Sequence, residues 1–348
     1  MLKIGILGCG QITKVRHAPE YAENPNCQIV ALFDQDIIRA EEIQKLYGGI
    51  VCHSIAEFLA QELDAVSVCV ANIHHSEVTI AALKAGNHVL CEKPMAVTMK
   101  ACREMVEVAR ATGKVLMIGQ NQRYNESHRM VKRLLNDGEI GKLLGFRLVF
   151  GHSGPEGWTG VTNPWFYDKK TAHFGALADL GIHKIDLLRF ITGSEITEVM
   201  AAEATVDKKY PDGKLIDVDD NAFFIMKLDN GAMGTIQASW TFYGREDNST
   251  ILYGTKGEIR VYDDPKYSIV IEKVEGQRRN IEVDIMTTNE LQSSGNRITT
   301  GVIDAFVTAI MNGGQIDADG ADVLKSMQAV FAAEKSIHEG RFVKIDEV

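Results

Sequence analysis

The sequence predicts an α/β chain in two parts. The first is a doubly wound parallel sheet; the second is an α+β part on a large open, mostly antiparallel sheet. Three observations predict it. Short apolar runs alternate with amphipathic stretches as far as Ile118. A glycine pair, Gly8-Cys9-Gly10, follows the first apolar run. Beyond Ile196 the texture changes to consecutive strand-like runs with short connections and glycine turns, which pair antiparallel. A length of 348 residues suits two domains. We place them at 1–122 and 123–348, with the C-terminal helices packing back on the body.

Composition narrows the function classes. Hydrophobic residues make up 45% and charged residues 24%, which is ordinary for a globular protein. The formal net charge is -10 and there is no long Lys/Arg run, which argues against nucleic acid or an anionic membrane surface as partner. The start runs directly into a strand pattern rather than a cationic segment and a long apolar one, so no signal peptide is expected. No apolar run is long enough to span a bilayer. The six cysteines, Cys9, Cys27, Cys52, Cys69, Cys91 and Cys102, sit mostly in apolar company and form no C-x-x-C pair. Buried free thiols in a reducing cytoplasm fit better than disulfides or zinc.

The first strand is 3–7. Gly8 and Gly10 then let the backbone turn tightly and approach a pyrophosphate, and the helix opening at Gln11 and Ile12 offers its N–H groups to the anion. Thr13 stands where Gly or Ala is usual. Strand 28–33 ends at Asp34, placed to accept hydrogen bonds from an adenosine ribose and to repel a 2′-phosphate. NAD is therefore favoured over NADP, unless Asp34 only caps the helix starting near Ile37. Helix 36–47, strand 51–52 and helix 54–63 follow, the last with Ser54 and Glu57 spaced as a capping box. Strand 64–70 leads to Asn72, a plausible ribose or phosphate contact. The adjacent His74 and His75 cannot face the same way, so no metal pair is expected. One of them caps a helix or lines the cofactor crevice. Helix 77–85 closes at Gly86, and strand 89–91 ends abruptly in Glu92-Lys93-Pro94. A charged pair at the mouth of an apolar strand is costly unless paired or used. Lys93 is a candidate working amine with Glu92 beside it; a plain surface turn is the alternative. Helix 98–112, Gly113 as its cap, and strand 115–118 complete this part.

The stretch from Gln120 to Tyr124 is polar, aromatic and cationic and crosses between domains, with Asn121 facing the cofactor. Helix 127–136 and strand 145–151 follow. The loop 152–167 carries Trp158 and Trp165, which could stack on a sugar ring or pin the loop to the core. In 175–191, Leu177, Leu180, Ile185, Leu188 and Ile191 form an apolar helical face. Asp179 and His183, four apart, are neighbours on that helix, and a carboxylate beside an imidazole can orient it. An ordinary surface pair is the alternative. Strands are expected at 198–205, 221–228, 233–240, 249–253, 258–262 and 267–272, and helices at 299–312 and 320–339. A sheet of this kind often leaves one face free for an oligomer interface.

Gly8-Cys9-Gly10, Glu92-Lys93-Pro94 and Asp179-x-x-x-His183 occur in this order and spacing, and with them the chain resembles the Gfo/Idh/MocA family of NAD(P)-dependent oxidoreductases along nearly its whole length. The resemblance implies a Rossmann domain, a C-terminal open-sheet domain, dimers or tetramers formed through that sheet, and sugar or cyclitol substrates. It makes Lys93 the catalytic lysine and Asp179 with His183 the catalytic pair. Two positions depart from the family pattern: its glycine cluster reads His173-Phe174-Gly175 here, and its proline before Asn72 is Ala71.

The expected chemistry is oxidation of a secondary hydroxyl on a polyhydroxylated ring. His183 takes the hydroxyl proton, Asp179 orients it, and Lys93 steadies the developing alkoxide, or the two bases exchange roles. Glu92 lies with the cofactor. Arg123, Tyr124, His152, Trp165 and His173 are candidate substrate contacts. Inositol dehydrogenation and oxidation of a hexose or glycoside stand as comparable options. So do an enzyme that recycles bound NAD through a keto-sugar and, further off, a non-catalytic NAD-binding regulator.

Overall fold

The computed structural model describes residues 1–285, 299–313 and 316–348. The chain divides into two compact units, Met1–Asn121 with Arg297–Leu324, and Gln122–Asn296 with Lys325–Val348. The sequence reading assigns all of 123–348 to the second domain; the late segment instead groups with the first. The reason is backbone pairing: Ile118 N donates to the Ala318 carbonyl at 3.0 Å, and Met117 bridges Asp319.

In the first unit, β1 (Leu2–Leu7), β2 (Cys27–Phe33), β3 (Ile50–Val51), β4 (Ala65–Val68), β5 (His88–Cys91) and β6 (Leu116–Ile118) form one sheet in the order β3-β2-β1-β4-β5-β6. All pairs are parallel. The order reverses between β1 and β4, the switch point beside which open α/β sheets bind ligands. Ile4, Ile6 and Leu7 of β1 and all of β4 are buried, which is why these strands read as unbroken apolar runs. The helices are α1 (Ala18–Glu23), α2 (Ile37–Tyr47), α3 (Ile55–Leu59), α4 (His75–Lys84) and α5 (Met99–Thr112). Asp36, Ser54 and Thr98 cap three of them, each accepting a first-turn N–H, and Gly113 closes α5 at φ 66°. Asp36 and not Asp34 is thus the cap of α2.

In the second unit, α6 (Glu126–Asn136) precedes β7 (Leu143–Gly151), and the short α7 (Pro155–Thr159), α8 (Lys169–Ala172) and α9 (Ala176–Asp179) lead to α10 (Gly181–Thr192). Strands β8 (Ile196–Ala204), β9 (Asn221–Leu228), β10 (Met233–Ser239), β11 (Thr250–Gly254), β12 (Gly257–Val261), β13 (Ile269–Lys273) and β14 (Arg278–Ile281) follow. Then come α11 (Val302–Asn312), α12 (Gly320–Glu339), which runs across the second unit boundary, and β15 (Val343–Lys344). The sheet order is β14-β13-β12-β11-β7-β10-β9-β8-β15. Only the β7 and β10 pair is parallel, so the mostly antiparallel expectation holds. Alternate residues of β9 are buried (Ala222, Phe224, Met226) and exposed (Phe223, Ile225), leaving one sheet face open.

The expected single amphipathic helix is two segments, α9 and α10, joined at Leu180. Every residue from Gly181 to Ile191 is buried, so the helix has no solvent face and its polar residues find partners inside. Among the described residues no helix is long and apolar enough to cross a membrane. All six cysteines are buried and free.

Candidate active site

Gly8 has φ 91°, and a Cβ there would collide with the Cys69 carbonyl, so only glycine closes this turn. A Cβ on Gly10 would meet nothing within 4 Å. Among the described residues no atom requires that glycine, and open space is what a pyrophosphate approaching the backbone needs. The residues present fit a dinucleotide. Thr13 does not spoil the turn: it is fully buried and its Oγ1 donates to the Gly8 carbonyl at 2.6 Å. Gln11 and Ile12 are half-buried at the start of the helix, and Thr13–His17 winds as a π-helix before Pro19, which has no N–H to give the ladder. Asp34 accepts from Cys9 N at 2.7 Å and from Asp36 N at 2.9 Å, so its carboxylate is fixed against the glycine turn, with lone pairs to spare.

At the end of β5, Glu92 is 6% exposed and Lys93 half-buried, and the Lys93–Pro94 peptide is cis. His17 Nε2 lies 2.8 Å from Glu92 Oε1, and Arg16 is 3.8 Å away. Burial works against the Glu92 charge, but His17, Arg16 and Lys93 outweigh it and hold the carboxyl down at about 2. Asn72 is 4% exposed at the start of a tight turn after β4. Asn121 Oδ1 and Gln120 Nε2 are buried without a hydrogen-bond partner among the described residues, as polar atoms kept for a ligand or water would be. His75 is buried, with Nδ1 2.7 Å from the Pro94 carbonyl and Nε2 3.0 Å from that of Val70.

In the second unit Asp179 and His183 are both more than nine-tenths buried. Trp240 Nε1 donates to Asp179 Oδ2 at 3.1 Å, and the His183 ring packs edgewise on Phe150 at 5.6 Å. The start of α9 is held by Asp219, which accepts from Gly175 N at 2.9 Å and Leu177 N at 2.7 Å. A Cβ on Gly175 would collide with the Asp219 carbonyl, so the one glycine kept in His173-Phe174-Gly175 is the one the packing requires. His173 takes φ 69° itself, a conformation glycine adopts freely. Burial, with Glu203 nearby, pushes the Asp219 carboxyl up to about 8 despite its two amide donors. Lys184, next to His183, has no exposed surface and donates to the Asn248 carbonyl at 2.8 Å. Burial lowers its amine to about 7.

The remaining candidates divide. Arg123 is 2% exposed, and its Nε and Nη2 reach the two oxygens of Asp186 at 2.6 and 2.5 Å in a buried ion pair. His152 is buried, with Nδ1 accepting from Gly154 N at 2.9 Å. Trp165 stacks on Phe166 at 3.9 Å, the loop-pinning use, and stays half-exposed. Half-buried Tyr124 lies under Arg129 at 5.1 Å, and His173 faces Glu334 at 3.6 Å. Sequence reasoning missed His17, Trp240, Asp219 and Lys184. Each acts through a partner far away in sequence, and only the polar pair Arg16-His17 behind the glycine turn gave a signal.

Comparison with known proteins matches both parts of the chain. A family model described as "Oxidoreductase family, NAD-binding Rossmann fold" matches residues 2–120, and one described as "GFO/IDH/MocA C-terminal domain" matches 128–260. The chain is 27% identical to myo-inositol 2-dehydrogenase of Thermotoga maritima, over 100% of this chain and 99% of that protein. It is 29% identical to D-glucoside 3-dehydrogenase of Escherichia coli, over 71% and 72%. Among solved structures, GenD2 from gentamicin A biosynthesis in complex with NAD superposes with TM-score 0.82 at 25% identity, over 99% of this chain and 96% of that one.

Proposed function

The chain belongs to the Gfo/Idh/MocA oxidoreductase family, and from that premise we propose that it oxidises a secondary ring hydroxyl of a sugar, glycoside or cyclitol with NAD⁺. The observation that carries the reading is the buried pair Asp179 and His183, a carboxylate steadied by Trp240 and an imidazole four residues on. A bound NAD⁺ would supply the hydride acceptor at its nicotinamide C4. His183 takes the hydroxyl proton at a ring nitrogen, and Asp179 sets the ring's orientation. Lys93 donates a hydrogen bond to the developing alkoxide. Gly8, Gly10, Gln11, Ile12, Asp34, Asn72, Glu92 and Asn121 hold the dinucleotide. The Asp34 carboxylate, fixed at the glycine turn, favours NAD⁺ over NADP⁺. Trp165 in the loop and His173 at the end of α8, which keep exposed surface, are the proposed substrate contacts.

The names of the relatives support a cyclitol or glycoside. The open face of the second-unit sheet, with Phe223 and Met233 each 52% exposed, supports a homodimer or homotetramer through that sheet. A reducing, cytoplasmic setting belongs to the same reading, since every thiol is buried and free. The test is initial rates of nicotinamide reduction with NAD⁺ or NADP⁺ and a panel of inositols, aldoses and simple glycosides. Reduction with one of them and a preference for NAD⁺ is expected. Product formed without net NADH would favour internally recycled NAD, and no cofactor binding at all would overturn the reading.

A further inference from the structure

Lys93 is flanked by two residues, and each is gripped by a buried histidine. On one side His17 Nε2 meets the Glu92 carboxylate at 2.8 Å. On the other His75 Nδ1 meets the Pro94 carbonyl at 2.7 Å. The far nitrogens of the same rings reach the neighbouring strand and the backbone just past it. His17 Nδ1 lies 3.1 Å from Ser67 Oγ within β4, and His75 Nε2 lies 3.0 Å from the Val70 carbonyl just past its end. Ser67 is in turn bonded to Tyr21 OH at 2.8 Å. The rings arrive from two different elements, the π-helix behind the glycine turn and the first residue of α4.

Neither ring can touch a substrate, since His17 is 0% and His75 1% exposed. Their hydrogen bonding nonetheless goes beyond filling space. A neutral imidazole has one N–H and one lone pair. A neutral His17 with its proton on Nε2 would use both, donating to Glu92 and accepting from Ser67. His75 faces two carbonyls and makes one bond when neutral and both as an imidazolium; burial lowers its proton affinity, while Glu92 raises it and Lys93 lowers it. The Glu92 carboxylate is also seated against Gly119, where an added Cβ would lie 3.0 Å from Oε1. Lys93 is therefore flanked by the Glu92 carboxylate, whose residue also donates its backbone N–H to the Val68 carbonyl at 2.9 Å, and by the Pro94 carbonyl, each facing a buried ring.

We propose that His17 and His75 are positioning residues for Lys93, a two-sided brace that sets where its amine begins. The inference rests on the role given to Lys93 above and deepens it. A misplacement of about 1 Å at such a group costs up to about a hundredfold in rate.

The experiment is reductive ¹³C-methylation of the lysines, with the Lys93 resonance assigned by its loss in Lys93→Arg, alongside NAD⁺ binding by calorimetry and turnover. His17→Leu and His75→Leu are expected to move the Lys93 resonance toward that of exposed lysines. They are expected to lower kcat about ten- to a hundredfold while the NAD⁺ dissociation constant stays within about twofold. His17→Gln and His75→Asn each keep one donor and restore most of both. Should a leucine variant not fold, Ser67→Ala removes the far contact of His17, with Tyr21→Phe as the control for the Tyr21–Ser67 bond lost with it, and is expected to shift the resonance the same way by less. An unmoved resonance in folded variants overturns the brace, as does a loss of NAD⁺ binding that matches the loss of rate. Full turnover in Lys93→Met would instead sink the role of Lys93 itself, and the resonance would still report on the brace.

Discussion

Around Lys93 in the first unit, the buried carboxylate of Glu92 is met by an imidazole at 2.8 Å and a guanidinium at 3.8 Å. Around His183 in the second, the buried amine of Lys184 has only neutral oxygens, the Asn248 carbonyl at 2.8 Å and Thr250 Oγ1 at 3.4 Å, and no ion-pair partner among the described residues. The buried carboxyl of Asp219 is likewise met by backbone amides. The outcomes differ in kind. Glu92 is held at about 2 against the effect of its burial, whereas burial lowers Lys184 to about 7 and raises Asp219 to about 8. A charge paired where it is buried stays charged across the working range; one stabilised only by dipoles titrates inside it. Changes of pH near neutrality are therefore felt beside His183 before they are felt beside Lys93.

The sharpest break of this comparison is at the base itself. His183→Ala should lower kcat by about 10² to 10⁴ with NAD⁺ binding unchanged by calorimetry, because it removes an acid–base group from the unit that carries no part of the glycine turn. Trp240→Phe should cost about tenfold in kcat. It leaves a buried Asp179 oxygen short of one donor, a loss of about 1 to 3 kcal/mol that rate measurements at saturating substrate would register.

Lys184→Met tests the uncompensated charge. The folded-state value near 7 lies below the ordinary 10.5, so between those values the unfolded chain binds more protons than the folded one. Stability from this group therefore rises with pH across that window and is least favourable below it. The variant should melt higher than the parent at pH 7, and the gain should shrink as pH is raised; a gain that does not vary with pH would remove Lys184 as its source. The smallest effect is at His173, whose φ is 69°. His173→Gly should be more stable than His173→Ala by about 1 kcal/mol in thermal or chemical melts, since alanine keeps the strain without the ring contacts.

Much of the first unit was legible because its strands are buried on both faces and its helix ends carry their own signals, such as Ser54, Thr98 and Gly113. Lys93, Asp179 and His183 stood out because charge at an apolar strand end, or inside an apolar helix, asks for a reason. Partners far away in sequence were not legible. Nothing near Arg123 in the sequence shows that it meets Asp186. His17 gave no sign of reaching Glu92, nor Trp240 of reaching Asp179. The break at Leu180 escaped a periodicity that continues through it. Strand β14 escaped because Arg278–Ile281 is an exposed, charged edge with no apolar alternation to read. The segment that joins the first unit late in the chain is placed by a backbone bridge at Asp319, which no side-chain pattern announces.

The central claim is hydride transfer from a ring carbon, and isotope transfer tests it most directly. Inositols and glucosides deuterated at their ring carbons would be incubated with the protein and NAD⁺, and the nicotinamide product analysed by mass spectrometry. The account predicts deuterium in the reduced cofactor with one of them, abolished in His183→Ala while NAD⁺ still binds. Unlabelled cofactor from every compound, with product nonetheless formed and no label exchanged within it, would contradict the account.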